Sequence, residues 1–266
     1  MVRMSAFRGV MCLSLLFLGM SSAFSVRSVL KFLFRLVPLG VRRLLFRGRN
    51  RYCPVCETSL RRFYPAGLDP RPDARCPVCG SLERHRLFKI IAERKTDLFD
   101  GRPKRILHIA PEEAIERLVR RLPNVTYLSA DLEDPRAMIR MDVTQIEYPE
   151  DSFDIILCSH VLEHVPDDRK ALREFHRILS PGGWCIIQIP ITDPITFEDP
   201  TIVDPEERLT VFGQHDHVRR YGPDVRDRME EAGFVVEEIA TEEMASQEEA
   251  RRMGLMEEDR VYVLRR

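Results

Sequence analysis

Residues Asp151–Pro190 read "DSFDIILCSHVLEHVPDDRKALREFHRILSPGGWCIIQIP" and contain one complete alternation of elements. "DSFDIILC" (151–158) is a short apolar run bounded by polar residues, which predicts a strand. "DDRKALREFHRIL" (167–179) predicts a helix terminated by Ser180-Pro181-Gly182-Gly183, and "WCIIQIP" (184–190) is the next strand. The intervening "SHVLEHV" also spells H-x-x-E-H from His160 to His164, the inverted zinc-protease motif. Such a metal site needs both histidines on one helix and a third ligand further on. Here the strand runs directly into His160, and Pro166 disfavours helical geometry just before it. The stretch therefore reads as a loop at a strand end, with Leu162 packed inward, and not as a metal site on His160 and His164.

The same alternation extends in both directions from Lys104 to the C-terminus. "RILHIA" (105–110) and "VTYLSA" (125–130) are strands, and "PEEAIERLVRRL" (111–122) is a helix with Pro111 near its first turn and Glu112 and Glu113 at the positive end of its dipole. After a Pro- and charge-rich segment at 191–221 without clear periodicity come a helix, "PDVRDRMEEAG", and two β-rich runs, "FVVEEIA" and "RVYVLRR". The pattern is that of an α/β, doubly wound, mostly parallel sheet with helices on both faces. Ligands of such sheets bind at the carboxyl ends of the strands, so Ala110, Asp131, His160 and Pro190 are expected along one edge.

Upstream, four of the seven cysteines fall in two C-P-V-C blocks, Cys53/Cys56 and Cys76/Cys79. Two residues between thiolates let each turn point both sulfurs at one ion, and two such knuckles complete a closed, structural zinc site. Cys12, Cys158 and Cys185 lie in apolar runs and read as packing residues. The expected organisation is a hydrophobic, basic segment over 1–50, a zinc ribbon over 51–82, a connecting helix over 83–103 and the α/β domain over 104–266 with an insertion at about 191–221. "SLERHRLFKIIAERK" is the helix that docks the ribbon, with His85 structural.

The net charge of -1 hides a division. Met1 to Cys56 holds ten Arg and Lys and no acid, so the remainder carries a net excess of eleven acids. The uncharged run Gly9–Val26 has the form of a secretory signal and is at the lower limit for spanning a bilayer; we read it as a signal anchor, its following arginines keeping the domain cytoplasmic. Arg27, Lys31 and Arg35 recur every four residues, as in a helix lying on an anionic membrane surface, so residues 9–51 are a candidate membrane contact. An organelle transit peptide or a start codon placed too far upstream are the competing readings.

From about Arg105 to Phe234 the chain resembles the class I S-adenosylmethionine-dependent methyltransferases, and Asp151–Pro190 matches that family's fourth strand, loop, helix, Pro-Gly-Gly turn and fifth strand without a gap. The resemblance implies a seven-stranded Rossmann-like sheet and S-adenosyl-L-methionine as cofactor. By it, Asp131, with Leu132 beside it, takes the ribose hydroxyls, Asp142 contacts adenine, and Ala110, Pro111, Val143, Ser159 and His160 line the pocket. Where the family has an acid and G-x-G-x-G, this chain has "HIAPEEA", with His108 at the acid and Ala110, Glu112 and Ala114 at the glycines. Glu112 is expected to face the cofactor's ammonium in place of the missing acid. The cysteine module is similar to the ribbon that some ribosomal-RNA methyltransferases place before the same fold. Arg61, Arg62, Phe63, Tyr64, Arg71 and Arg75 between the knuckles are either an RNA grip or the solvated face of a stabilising cap.

Methyl transfer to a hydroxyl or amine needs alignment and removal of a proton. In "FGQHDHVRRYG", His217 and then His215 are the candidate bases, flanking Asp216, and Arg219 and Arg220 are candidates for an anionic substrate group or surface charges. The expected acceptor is a small molecule, saccharide or lipid-linked metabolite; the alternatives are RNA, or a non-catalytic zinc-ribbon adaptor.

Overall fold

The computed structural model describes residues 37–67 and 70–266. The expected signal anchor and most of the membrane-surface helix lie outside the described residues, and among those described no helix is long and apolar enough to cross a membrane. Residues Arg43–Arg266 pack as one compact unit.

A helix at Leu39–Phe46 (α1) precedes two small hairpins: β1 (Arg47–Cys53) with β2 (Thr58–Leu60), and β3 (Tyr64–Ala66) with β4 (Arg71–Arg75). The cysteine blocks sit at the β1–β2 turn and just after β4. Together the two hairpins form a small ribbon from Arg47. Helix α2 (Glu83–Lys95) then leads into β5 (Lys104–Ile109), α3 (Glu113–Val119), β6 (Val125–Asp131), β7 (Ile139–Arg140), β8 (Phe153–Ser159), α4 (Asp168–Ile178) and β9 (Leu179–Gln188). The insertion forms a small pair, β10 (Phe197–Glu198) with β11 (Arg219–Arg220), around α5 (Pro205–Phe212). The chain ends with α6 (Val225–Glu231), β12 (Val235–Ala240), α7 (Thr241–Met244), α8 (Gln247–Met253) and β13 (Arg260–Arg265).

The seven-stranded sheet has the order β12-β13-β9-β8-β5-β6-β7, with β13 alone antiparallel to its neighbours. This is the Rossmann-like methyltransferase fold. Its central strands are buried on both faces, which is why they read as continuous apolar runs. Along β8, Ile156 and Cys158 join one core with Leu172 and Phe175 of α4, while Ile155 and Leu157 join the other with Leu87 and Ile91 of α2. Burial pushes the Cys158 and Cys185 thiols well up, as suits packing residues.

Two local readings change. Ser180–Gly183 does not separate α4 from β9 but forms a bulge inside β9, between the Phe153–Leu179 and Ile155–Trp184 pairs. A Cβ on Gly183 would lie 2.8 Å from the carbonyl oxygens of Asp154 and Ser180, so the bulge needs glycine there. The insertion, which lacks visible periodicity, still forms α5, capped by the Asp204 side chain on the amides of Glu206 and Glu207 and stopped by Gly213 at φ 88°.

Candidate cofactor and metal sites

The sulfurs of Cys53, Cys56, Cys76 and Cys79 all lie within 4.8 Å of one another. Cys53 and Cys79 are 3.6 Å apart and Cys56 and Cys76 3.8 Å. A tetrahedral ion with sulfur ligands at ~2.3 Å sets sulfurs about 3.8 Å apart, so the four thiols fit a closed thiolate site. The ribbon is anchored by Arg86, fully buried, which donates to the carbonyls of Ala74 (2.9 Å), Ser81 (3.1 Å) and Gly254 (2.7 Å). Its guanidinium stacks 4.1 Å from the ring of Phe63. Phe63 is therefore a core residue, and Arg71 is paired with Glu83 at 3.0 Å. Of the set read as an RNA grip or a cap's solvated face, Phe63 is thus core and Arg71 is engaged in an ion pair.

The first strand-to-helix turn explains the departure at "HIAPEEA". Ala110 has φ 48°, the left-handed backbone that glycine adopts more freely, and its amide donates to Ala130 at 2.9 Å. His108, at the family's acid position, is buried in the sheet with Nδ1 2.9 Å from the Tyr127 hydroxyl, and burial lowers its pKa to about 4. It is a neutral packing group. Glu112 is the carboxylate of this turn that α2 holds: Arg84 Nε donates to Glu112 Oε1 at 2.9 Å and His85 Nε2 lies 2.8 Å from the same oxygen. The Leu82 amide donates to His85 Nδ1, which leaves the ring proton on Nε2, close to Glu112 Oε1 but without hydrogen-bond geometry. Burial pushes the Glu112 carboxyl up, but His85 and Arg84 outweigh it and hold the group well below the usual carboxylate range. Its other oxygen, Oε2, is buried without a partner. An ammonium group is a chemical match for that oxygen.

Strand register levels the remaining candidates. Ile109 pairs with Ala130 and with Cys158, so Ala110, Asp131 and Ser159 emerge at the same carboxyl edge. Asp131 Oδ1 accepts the amides of Glu133 and Asp134, both at 2.8 Å, and no protein hydrogen bond to Oδ2 occurs among the described residues. Leu132 beside it exposes a large apolar side chain, Asp142 is exposed with Oδ1 on Thr144, and Val143 is buried. Pro111 is half-buried in the first turn. His160, at φ 54°, donates its amide to Gln188 at 2.8 Å. Sequence reasoning missed Asp259, which antiparallel β13 brings to this edge. Burial and nearby Glu83 push its carboxyl up to about 6, against the opposing pull of His160, Arg71 and Arg84.

In the insertion, His217 is buried and its ring lies 4.6 Å from that of His164, edge to face. Burial and His164 lower its pKa, against Glu163 and Asp216. His215 is instead exposed, with Nδ1 3.2 Å from the Pro205 carbonyl. Arg219, considered for an anionic substrate, is buried: it donates to the carbonyls of Leu162 (2.7 Å), Val165 and Pro166 (2.8 Å) and pairs with Glu198 (2.8 Å). It fastens the β8 loop and has no free face for a substrate. Arg220 pairs with Asp193 at 2.6 Å. Leu162 is fully buried, as expected, and Leu162–His164 form a single 3-10 turn, not a helix carrying His160 and His164.

The fold and this edge define a nucleotide-cofactor type of α/β domain. Residues 108–187, β5 through most of β9, match a methyltransferase-domain family. The chain is similar to the ubiquinone biosynthesis O-methyltransferase of Psychrobacter arcticus, 33% identical over 90 residues, which cover 33% of this chain and 35% of that protein. It is also similar to the malonyl-[acyl-carrier protein] O-methyltransferase of Halorhodospira halophila, 31% identical over 189 residues, covering 68% and 54%. Among solved structures, an S-adenosylmethionine-dependent methyltransferase from Mesorhizobium loti superposes with a TM-score of 0.44 at 18% identity, over 62% of this chain and 91% of that one. The matched regions span little more than half, or less, of these two curated relatives.

Proposed function

We propose that the protein is a zinc-stabilised, S-adenosyl-L-methionine-dependent methyltransferase acting on a small-molecule, saccharide or lipid-linked acceptor. The observation that carries this reading is the coincidence of the family match over 108–187 with a carboxyl edge whose acids each keep an oxygen free: Asp131 Oδ2 and Glu112 Oε2. Glu112 and Asp131 would hold the cofactor's ammonium and ribose, Leu132 and Val143 its adenine with Asp142, and Ala110, Pro111, Ser159 and His160 the rest of the pocket. When bound, the cofactor supplies an electrophilic methyl group. His217, neutral at pH 7 by its lowered pKa, is competent to take the acceptor's proton, and exposed His215 is the weaker candidate. The four cysteines would hold structural zinc, fixing the ribbon and so the α2 residues that grip Glu112.

A small acceptor is supported by the names of the two O-methyltransferase relatives, and the internal use of Phe63 and Arg71 weighs against an RNA grip. The acid-free segment before Cys53 supports a further part of the reading, a hold on anionic membrane. Labelled methyl from the cofactor, offered with extracted metabolites and with RNA, should enter the small-molecule or lipid fraction. Label confined to RNA would contradict the acceptor class. Metal analysis of reduced protein should find at least one zinc equivalent, and much less would defeat the ribbon assignment.

A further inference from the structure

We propose that Glu163, His164 and His217 form a second metal site, for a divalent first-row transition ion, distinct from the four-cysteine site. One ligand atom from each of the three residues lies within 4.8 Å of the others. Two imidazoles and a carboxylate are a donor set for zinc, manganese or iron, and three protein ligands leave at least one position for water or an acceptor oxygen.

An independent observation points to a ligand here. Glu163 is 1% exposed, its Oε1 is 3.2 Å from His160 Nδ1, and its Oε2 is buried with no hydrogen-bond partner. Among the described residues no lysine or arginine pairs with it. A buried carboxylate without a cation is costly, by several kcal/mol, unless something compensates it. Oε2 is left bare, and nitrogens of two histidine rings lie within 4.8 Å of a Glu163 carboxylate oxygen.

The three donors are also held as a built site. The Val218 amide donates to the Glu163 carbonyl at 2.9 Å, and Arg219 clamps the carbonyls of Leu162, Val165 and Pro166, so two distant chain segments are locked together. Asp216 Oδ2 lies 3.2 Å from His164 Nδ1, the carboxylate support that metal-bound histidines commonly have. Two residues of the H-x-x-E-H motif thus serve as ligands after all. The third comes from His217 in the insertion, and His160 becomes a partner of Glu163. An ion bound there takes His217 as a ligand, so the role of His217 as a base belongs to the metal-free site, and the metal site goes beyond the proposed function.

Cobalt titration of the zinc-loaded full chain, followed by calorimetry and by visible absorption, tests this. The expected result is one equivalent beyond the ribbon's, weakened at least tenfold in Glu163→Gln and His217→Ala and retained in His215→Ala. Glu163→Gln is near-isosteric and keeps the test valid if His217→Ala misfolds. No second equivalent in the wild type, or one undiminished in both variants, overturns the proposal. The readout is metal stoichiometry, so its failure leaves cofactor binding untouched, and failed cofactor binding leaves this site untouched.

Discussion

Glu112, half-buried, and Glu163, fully buried, are both carboxylates near the carboxyl edge of the sheet, and each has one engaged and one bare oxygen. They differ in what balances the charge. Glu112 receives Arg84 and His85 from α2, the helix that follows the ribbon, so its charge is compensated before any ligand arrives. Among the described residues only histidines are polar side-chain partners of Glu163, and the proposed ion would balance its charge. The first is held by an arginine and an imidazole of the chain itself. The second has no lysine or arginine partner among the described residues.

The largest expected effect probes the clamp that holds the Glu163 end together. Arg219→Ala removes the donor to three loop carbonyls and one of the two arginines at Glu198, which keeps Arg228. Chemical denaturation should show a loss of about 3–5 kcal/mol, from buried acceptors left unpaired. Arg220→Ala, at a more exposed pair, should cost no more than about 1 kcal/mol.

Next comes acid sensitivity at the Glu112 end. His108 has a folded pKa near 4, below the unfolded value of 6.5, so the unfolded chain binds a proton that the folded one refuses. Stability from this residue is therefore full above pH 6.5 and is lost as pH falls toward 4, by on the order of 3 kcal/mol. His108→Gln should flatten that slope in pH-dependent melting; an unchanged slope would show that His108 is not the titrating group.

The smallest effect is the sharpest comparison, because the two carboxylates should respond with opposite sign. With ribbon zinc retained and no other metal added, Glu112→Gln should destabilise by about 1–3 kcal/mol through loss of charge-assisted bonds to Arg84. Glu163→Gln should raise stability by about 1 kcal/mol, since it removes an uncompensated buried charge. Equal signs in paired melting curves would break the distinction.

The fold was largely legible because its central strands are buried on both faces and therefore continuous in apolar character, as in "DIILC" and "WCIIQI". The four-cysteine cluster was legible for a different reason: C-x-x-C spacing is local. Helices α5 and α8 carried readable signals that were passed over, Asp204-Pro205 with Gly213, and Ser246 with Glu249 and Gly254. What sequence alone does not carry is the meeting of distant side chains. Arg84 reaches Glu112, His217 reaches Glu163 and His164, and antiparallel β13 delivers Asp259 only once the chain has folded. Arg219, in a polar loop, read as a substrate-holding or surface charge because nothing nearby in sequence reveals the three carbonyls it binds.

The central claim is that this edge binds S-adenosyl-L-methionine despite the missing glycines, and calorimetry on the zinc-loaded full chain tests it most directly. The account predicts measurable binding that Asp131→Ala weakens at least tenfold. Absence of binding below millimolar concentration, or an Asp131→Ala affinity equal to wild type, would contradict it.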